Sequence, residues 1–128
     1  MEIQVQFPGG KRVDAHFGPH CVKTDQPEAA GGENSAPAPF ELFLASLATC
    51  AGFYVLAFCQ ARGIPTDGIE IIQRDIKDDS GHIQRVDLEL HLPNAFPEKY
   101  RAAVVRAAEG CKVKRLFDAP PAVAIREG

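Results

Sequence analysis

Four cysteines are the residues in this sequence most able to do chemistry: Cys21, Cys50, Cys59 and Cys111. A thiolate is both a nucleophile and a metal ligand, so cysteines can support redox catalysis, metal binding or disulfide formation. The first residues alternate apolar and polar types and do not resemble a signal peptide, so we expect a cytoplasmic protein. In that reducing compartment, free thiols are expected more than a disulfide framework.

The neighbours of each cysteine indicate different roles. Cys59 follows Cys50 by nine positions, so on a helix the two would point to opposite sides and could not meet within one chain. Packing is therefore the favoured role of Cys59. Cys111 follows Gly110 at a predicted helix start, where the helix dipole and free amides stabilise a thiolate. Cys50 alone, on an apolar helix face, has the features of an inert core thiol.

Cys21 raises the question of a metal site. It stands beside His20 on a predicted strand, and His16 is close in sequence. The chain has no C-x-x-C pair and no helical H-x-x-x-H pattern, which are the stronger signs of a metal site. We therefore favour a packing role for Cys21 and predict neither a metal nor a cofactor.

Composition excludes several classes of protein. A chain of 128 residues fits one domain, residues 1–128. Its 14 basic and 17 acidic residues give a net charge of -3 and no basic patch for nucleic acid. Residues 42–59 carry no charge and are just long enough to suggest a membrane span. Polar residues within the stretch and the lack of a clear basic flank favour a buried helix and no membrane contact.

The elements that must position the cysteines follow from residue periodicity. Alternating apolar and polar residues predict a hairpin over residues 2–17, with a possible third strand at residues 20–24. Prolines at one end, and Gly63 with Pro65 at the other, predict a long helix over about residues 39–62. An α+β fold is completed by a second hairpin at 68–92, a helix at 98–109, a short helix at 112–117 and a final strand at 121–126.

The long helix is apolar on two opposite faces. One stripe consists of Phe43, Leu47, Cys50, Tyr54 and Ala57, and the other of Ala45, Ala48, Gly52, Val55 and Cys59. A helix that is apolar all round must be buried on both sides. A chain this small hardly supplies two covering layers, so we predict that a second copy covers one face in a homodimer.

Three sequence segments carry a resemblance to a known family. They are PFELFLASLATC at residues 39–50, DQP at residues 25–27 followed by GG at residues 31–32, and CKVKRL at residues 111–116. The first resembles the helix signature P-x-E-L-L-L-A-A-L-G-A-C, which carries the first redox cysteine of the OsmC/Ohr family of osmotically inducible and organic hydroperoxide resistance proteins. The second resembles that family's preceding loop, and the third resembles its second cysteine motif. With the order of elements, the resemblance covers essentially the whole chain.

The resemblance implies an intertwined homodimer whose central helices pack together, and thiol-dependent reduction of organic hydroperoxides in oxidative-stress defence. Cys50 is then the peroxidatic cysteine that attacks the peroxide, and Cys111 is the resolving cysteine that closes a disulfide. A dithiol or lipoyl reductant would restore the thiols. The apolar pocket for an alkyl peroxide would consist of Phe40, Phe43, Leu47 and Tyr54.

One position departs from the family pattern. The hydroperoxide-resistance and osmotically induced branches place an acid ten residues before the first cysteine, where it pairs with an arginine of the N-terminal hairpin. This sequence has Phe40 there, and Glu41 would point away and suit the first helical turn. Arg12 is the candidate arginine, with Lys11 the alternative. The departure leaves a second hypothesis: a non-enzymatic dimer that senses redox state or binds an apolar ligand.

Overall fold

Two antiparallel sheets and three α-helices make up the structure, a computed structural model that describes residues 1–128. This confirms the predicted α+β class. The chain divides into two units, residues 1–45 and residues 46–128, and the long helix begins in the first and continues into the second. That residues 1–128 act as a single domain stays a prediction.

The sheet of the first unit has three antiparallel strands in sequence order: β1 (Gln4–Gly9), β2 (Arg12–Phe17) and β3 (His20–Thr24). Both the predicted hairpin and the possible third strand are present. Gly10 lies in the turn between β1 and β2 with a φ of 59°, a left-handed conformation that glycine adopts without strain. Because side chains alternate along a strand, the sheet has one mainly apolar and one mainly polar face.

A buried carboxylate organises the loop between β3 and the long helix. Asp25 accepts hydrogen bonds from the hydroxyl and the amide of Ser35, at 2.6 and 3.0 Å, and from the amide of Gln26 at 2.8 Å. These bonds, the Ser35 hydroxyl above all, lower the pKa of Asp25 to about 2. A side chain at Gly32 would collide with the Gln26 carbonyl, so only glycine fits this turn.

The long helix, α1, spans Pro39–Ala61, one residue shorter than predicted. The Glu41 carboxylate accepts the Ala38 amide at 2.9 Å, so it serves the helix start as an acid in the first turn. Beyond the other end, Gly63 takes a φ of 63°, and the Ile64 amide donates to the Cys59 carbonyl at 2.9 Å. This is a glycine-terminated helix end, as the sequence indicated.

The chain by itself buries four residues of α1: Leu47, Ala51, Val55 and Cys59. Leu47 comes from one predicted stripe, and Val55 and Cys59 come from the other. That a second copy covers the remaining apolar surface stays a prediction. Phe53, on another face, is 61 % exposed. By length and apolar composition α1 could cross a membrane, a property that it shares with core helices of globular proteins. A single chain therefore leaves much of the apolar surface of α1 exposed.

The second unit contains the other sheet and two shorter helices. Strands β4 (Glu70–Lys77) and β5 (Ile83–His91) form an antiparallel hairpin. One turn of 3-10 helix at Glu98–Tyr100 leads into α2 (Arg101–Glu109), and α3 (Lys112–Asp118) follows. The predicted hairpin and both helices are therefore confirmed. Their apolar faces pack on α1 in a core that contains Phe96, Val104, Ala108 and Cys111.

The predicted final strand at residues 121–126 is wrong, because residues 120–128 have no regular secondary structure. Pro120 and Pro121 have no amide hydrogen to donate to a ladder. Val123 and Ile125, which suggested the strand by their alternation, are 83 % and 96 % exposed. A strand needs a neighbouring edge to pair with, and this segment pairs with neither sheet.

Candidate active site

The second unit brings Cys50 and Cys111 together. Cys50 lies in the middle of α1, Cys111 immediately precedes α3, and the two thiols are close enough to interact. Neither cysteine is in a disulfide. The two residues that the family resemblance named as a redox pair are thus in contact, although they are far apart in the sequence. Their roles as attacking and resolving thiols stay predictions at this point.

The two thiols differ in access to solvent. Cys50 is half-buried, whereas only 1 % of Cys111 is exposed. Solvent therefore reaches Cys50 more readily than Cys111, which belongs to the apolar core of the second unit.

Cys111 caps the N-terminus of α3, as the sequence predicted, because its sulfur accepts the Lys114 amide at 3.3 Å. The expectation that this position makes Cys111 acidic is wrong. Burial raises the pKa of Cys111 and outweighs the amide contact, which lowers it. The neighbouring Cys50 thiol raises the pKa of Cys111 further. Cys111 therefore holds its proton more tightly than an ordinary thiol.

A second contact lies one helical turn further along both helices. The Arg115 guanidinium donates to the Tyr54 hydroxyl at 3.3 Å. Tyr54 follows Cys50 by four residues, and Arg115 follows Cys111 by four residues. Arg115 is exposed and forms no ion pair with a carboxylate, whereas the neighbouring Lys114 pairs with Asp118 at 3.7 Å. A cation without an acidic partner therefore stands beside the thiol pair.

Arg115 was not among the site residues predicted from the sequence. The sequence contains one signal for its position. Arg115 follows Cys111 by four residues, as Tyr54 follows Cys50, and residues four apart share a helix face. Knowing that the two helices touch was also necessary, and the sequence does not supply that contact.

The predicted pocket residues fall in both units. Leu47 borders a cleft of about 190 Å³ whose lining includes Cys111, and apolar residues of β5 and α2 form much of its wall. Tyr54 packs against the core of the second unit. Phe40 and Phe43 lie in the first unit, where their rings stack with centroids 6.0 Å apart. That all four line one pocket stays a prediction.

The two candidate cations of the hairpin belong to the first unit. The Arg12 guanidinium donates to the Gly9 carbonyl at 3.2 Å, so it stabilises its own turn. The Lys11 side chain runs beside Gly31 of the following loop. A part for either residue in thiol chemistry stays a prediction.

The remaining cysteines differ from each other. Cys59 is fully buried, and burial above all raises the pKa of its thiol, which agrees with a packing role. The packing role favoured for Cys21 is wrong, because Cys21 is exposed on β3. Its sulfur lies 3.9 Å from the Nε2 atom of His16.

Comparison with known proteins assigns the family. The family model described as OsmC-like protein matches residues 32–126. The match covers well over half of the chain, so this chain belongs to the OsmC-like family. A comparison with curated proteins gave no match.

Solved structures agree with the fold. A Psychrobacter arcticus protein, named provisionally as an osmotic stress induced and detoxification response protein, superimposes with a TM-score of 0.72 at 21% identity, covering 88% of this chain and 85% of that one. An organic hydroperoxide resistance protein OsmC from Legionella pneumophila gives 0.56 at 18%, covering 93% and 90%. The organic hydroperoxide resistance protein OhrB of Bacillus subtilis gives 0.55 at 23%, covering 94% and 93%.

Proposed function

We propose that this chain is a cytoplasmic thiol peroxidase that reduces organic hydroperoxides in oxidative-stress defence, with Cys50 as the peroxidatic and Cys111 as the resolving cysteine. The observation that carries the proposal is that these two free thiols lie together in the second unit and interact. Membership of the OsmC-like family, and the names of the Legionella and Bacillus proteins, support organic hydroperoxides as the substrate class.

In the first step, the Cys50 thiolate attacks the outer oxygen of the hydroperoxide. A sulfur–oxygen bond forms, the oxygen–oxygen bond breaks, and the alkoxide takes up a proton and leaves as the alcohol. Cys50 is then a sulfenic acid. Exposure favours Cys50 for this step, because burial raises the pKa of Cys111 and disfavours its thiolate.

In the second step, the Cys111 sulfur attacks the sulfur of the Cys50 sulfenic acid. The disulfide forms, and the departing hydroxyl leaves as water with the proton that Cys111 held until then. One hydroperoxide thus oxidises two thiols to one disulfide. A dithiol or lipoyl reductant then reduces the disulfide and is itself oxidised. Because the thiols are already in contact, the step needs little rearrangement.

The working form that we propose is an intertwined homodimer. The exposed apolar surface of α1, which includes Phe53 and Leu56, is the part of the chain that a second copy would cover. Within this assembly, Phe40, Phe43, Leu47 and Tyr54 would form an apolar pocket for the alkyl group of the substrate.

Two arginines are candidates for a positive charge that assists the reaction of Cys50. Arg12 is proposed from the family resemblance. Arg115 is proposed from the structure, because it stands one turn from the thiol pair and no carboxylate neutralises it. A guanidinium that the Tyr54 hydroxyl holds in this position can stabilise the developing alkoxide.

Steady-state turnover of cumene hydroperoxide with dihydrolipoamide tests the proposal. We expect turnover by the pure chain and its loss in both Cys50→Ser and Cys111→Ser. Cys59→Ala is the matched control, because Cys59 is a thiol of the same helix that contacts neither partner of the pair. Turnover that persists in Cys50→Ser would refute the assignment.

A second function, a non-enzymatic dimer that senses redox state or binds an apolar ligand, is favoured by one observation. Phe40 occupies the position of the activating acid and leaves no carboxylate there. Such a dimer would form the disulfide with one equivalent of peroxide but would show no turnover with dihydrolipoamide. The same assay therefore distinguishes the two functions.

A further inference from the structure

A second cluster of reactive side chains lies in the first unit. Asp14 and His16 of β2 and Cys21 of β3 place one possible ligand atom each within 4.8 Å of the others. It is the one group of three or more such side chains in the structure, and it includes neither Cys50 nor Cys111. The proposed peroxidase chemistry does not use it.

The strand register produces this convergence. His16 pairs directly with Cys21 across the β2 and β3 ladder, so their side chains stand side by side on one face. Asp14 precedes His16 by two residues and therefore shares that face. Gly18, with a φ of 52°, lies in the turn that fixes the register. The donors thus converge through ordinary strand pairing, and no backbone movement is needed to bring them together.

The donor types select the kind of metal. A thiolate, an imidazole and a carboxylate are the three ligand types of zinc sites, whereas Mg²⁺ and Ca²⁺ take oxygen ligands. In a tetrahedral zinc site, a cysteine sulfur and a histidine nitrogen are about 3.6 Å apart, from Zn–S and Zn–N distances of about 2.3 and 2.05 Å. The Cys21 sulfur lies 3.9 Å from the His16 Nε2 atom, within a small side-chain adjustment of that spacing.

No side chain of the cluster is held in an ion pair. Lys23 stands directly opposite Asp14 in the ladder, yet the structure contains no ion pair between them. Asp14 forms no ion pair with His16 either. Gln4 and Gln6 of β1 occupy the positions beside His16 and Asp14 and carry no charge. An incoming cation would therefore meet a carboxylate that has no competing partner.

We infer that Asp14, His16 and Cys21 bind one Zn²⁺ per chain, with a fourth position open to water. Three protein ligands and one open position are an ordinary zinc arrangement. Binding would hold the exposed Cys21 as a metal thiolate. The inference does not depend on the proposed peroxidase function, since it uses none of the same residues.

Cobalt titration of the reduced, metal-free, full-length chain tests the site. We expect a thiolate-to-Co²⁺ charge-transfer band that saturates at one equivalent and disappears when Zn²⁺ is added. Cys21→Ser should abolish the band. His16→Gln and Asp14→Asn should weaken binding by roughly 10-fold or more, since even changes outside the first coordination shell cost about 10- to 100-fold. Circular dichroism confirms that each variant is folded.

Two controls make the test specific. His20 neighbours Cys21 in the chain but lies on the other face of β3, so His20→Gln should leave the titration unchanged. Cys50→Ser and Cys111→Ser should also leave it unchanged. Zn²⁺ should in addition slow alkylation of Cys21, read by mass spectrometry, without slowing that of Cys50. Absence of the band, its survival in Cys21→Ser, or its loss in Cys50→Ser would overturn the inference.

Discussion

Cys50 and Cys111 interact as free thiols, the first half-exposed in the middle of α1 and the second buried at the start of α3. Two chemically identical groups therefore have different surroundings. Burial disfavours the charged form of Cys111 and raises the pKa of that thiol, whereas solvent reaches Cys50. This difference supports attack by Cys50 and resolution by Cys111.

Removing one thiol at a time should separate the two roles. In Cys111→Ser, one equivalent of hydroperoxide should leave Cys50 as a sulfenic acid that dimedone traps, because no thiol remains to resolve it. In Cys50→Ser, Cys111 should label slowly, because burial raises the pKa of Cys111 and leaves little thiolate at neutral pH. Rapid sulfenylation of Cys111 in Cys50→Ser would reverse the assigned roles.

Arg115→Ala should lower kcat/KM for organic hydroperoxide by roughly 10- to 100-fold, the range for losing a charged hydrogen bond of about 1.5–3 kcal/mol in the transition state. Tyr54→Phe should lower it less, because the cation remains. Arg74→Ala is the matched control, since Arg74 is an arginine of the same unit that pairs with Glu89. If kcat/KM falls in Arg12→Ala but not in Arg115→Ala, then Arg12 of the N-terminal hairpin is the cation that assists the reaction.

The loop that precedes α1 should be sensitive to acid through Asp25. Its folded pKa of about 2 lies below the ordinary 3.8, so its stabilising contribution is complete above pH 3.8 and is lost as the pH falls toward 2. Ser35→Ala removes the largest cause and should raise the pKa of Asp25, which carboxyl NMR titration measures.

Ser80→Ala is the control for that titration, because Ser80 makes the equivalent bond to Asp78 at 2.6 Å in another turn. It should raise the pKa of Asp78 and leave Asp25 unchanged. If Asp25 titrates near 4 in the unaltered chain, the loop is not built on its carboxylate.

The helix surface around Phe53 should be a dimer interface. Phe53→Glu places a charge on the exposed apolar face of α1 and should shift the protein from dimer to monomer, because an interface core rejects an unpaired charge. Light scattering at micromolar concentration measures the mass of both forms. A monomer mass for the unaltered chain would contradict the proposed dimer.

Local signals in the sequence predicted most of the fold. Proline at the start of α1 and Gly63 after its end predicted the bounds of the helix almost to the residue. Each of these residues affects only the helical turn next to it, so its effect can be read from the local sequence. Alternation of apolar and polar residues predicted the strands that pair within a hairpin. The same alternation gave a wrong prediction at residues 121–126, because a strand also needs a neighbouring strand to pair with, which a local pattern does not indicate.

The candidate site was less predictable because it depends on contacts between distant segments. The Lys114 amide does donate to the Cys111 sulfur, as expected at a helix start. Burial nevertheless raises the pKa of Cys111 overall. The contact of Arg115 with Tyr54 required knowledge of how α3 meets α1. The exposure of Cys21 likewise depends on which face of its sheet the chain covers.

Peptide mapping after stoichiometric oxidation tests the two-cysteine site most directly. The reduced chain is treated with one equivalent of cumene hydroperoxide, alkylated and digested without reduction. Two of the four thiols per chain should become unavailable to the alkylating agent, and mass spectrometry should show the Cys50 and Cys111 peptides joined by a disulfide. A disulfide that joins Cys21 or Cys59 instead, or four thiols that remain free, would contradict the assignment.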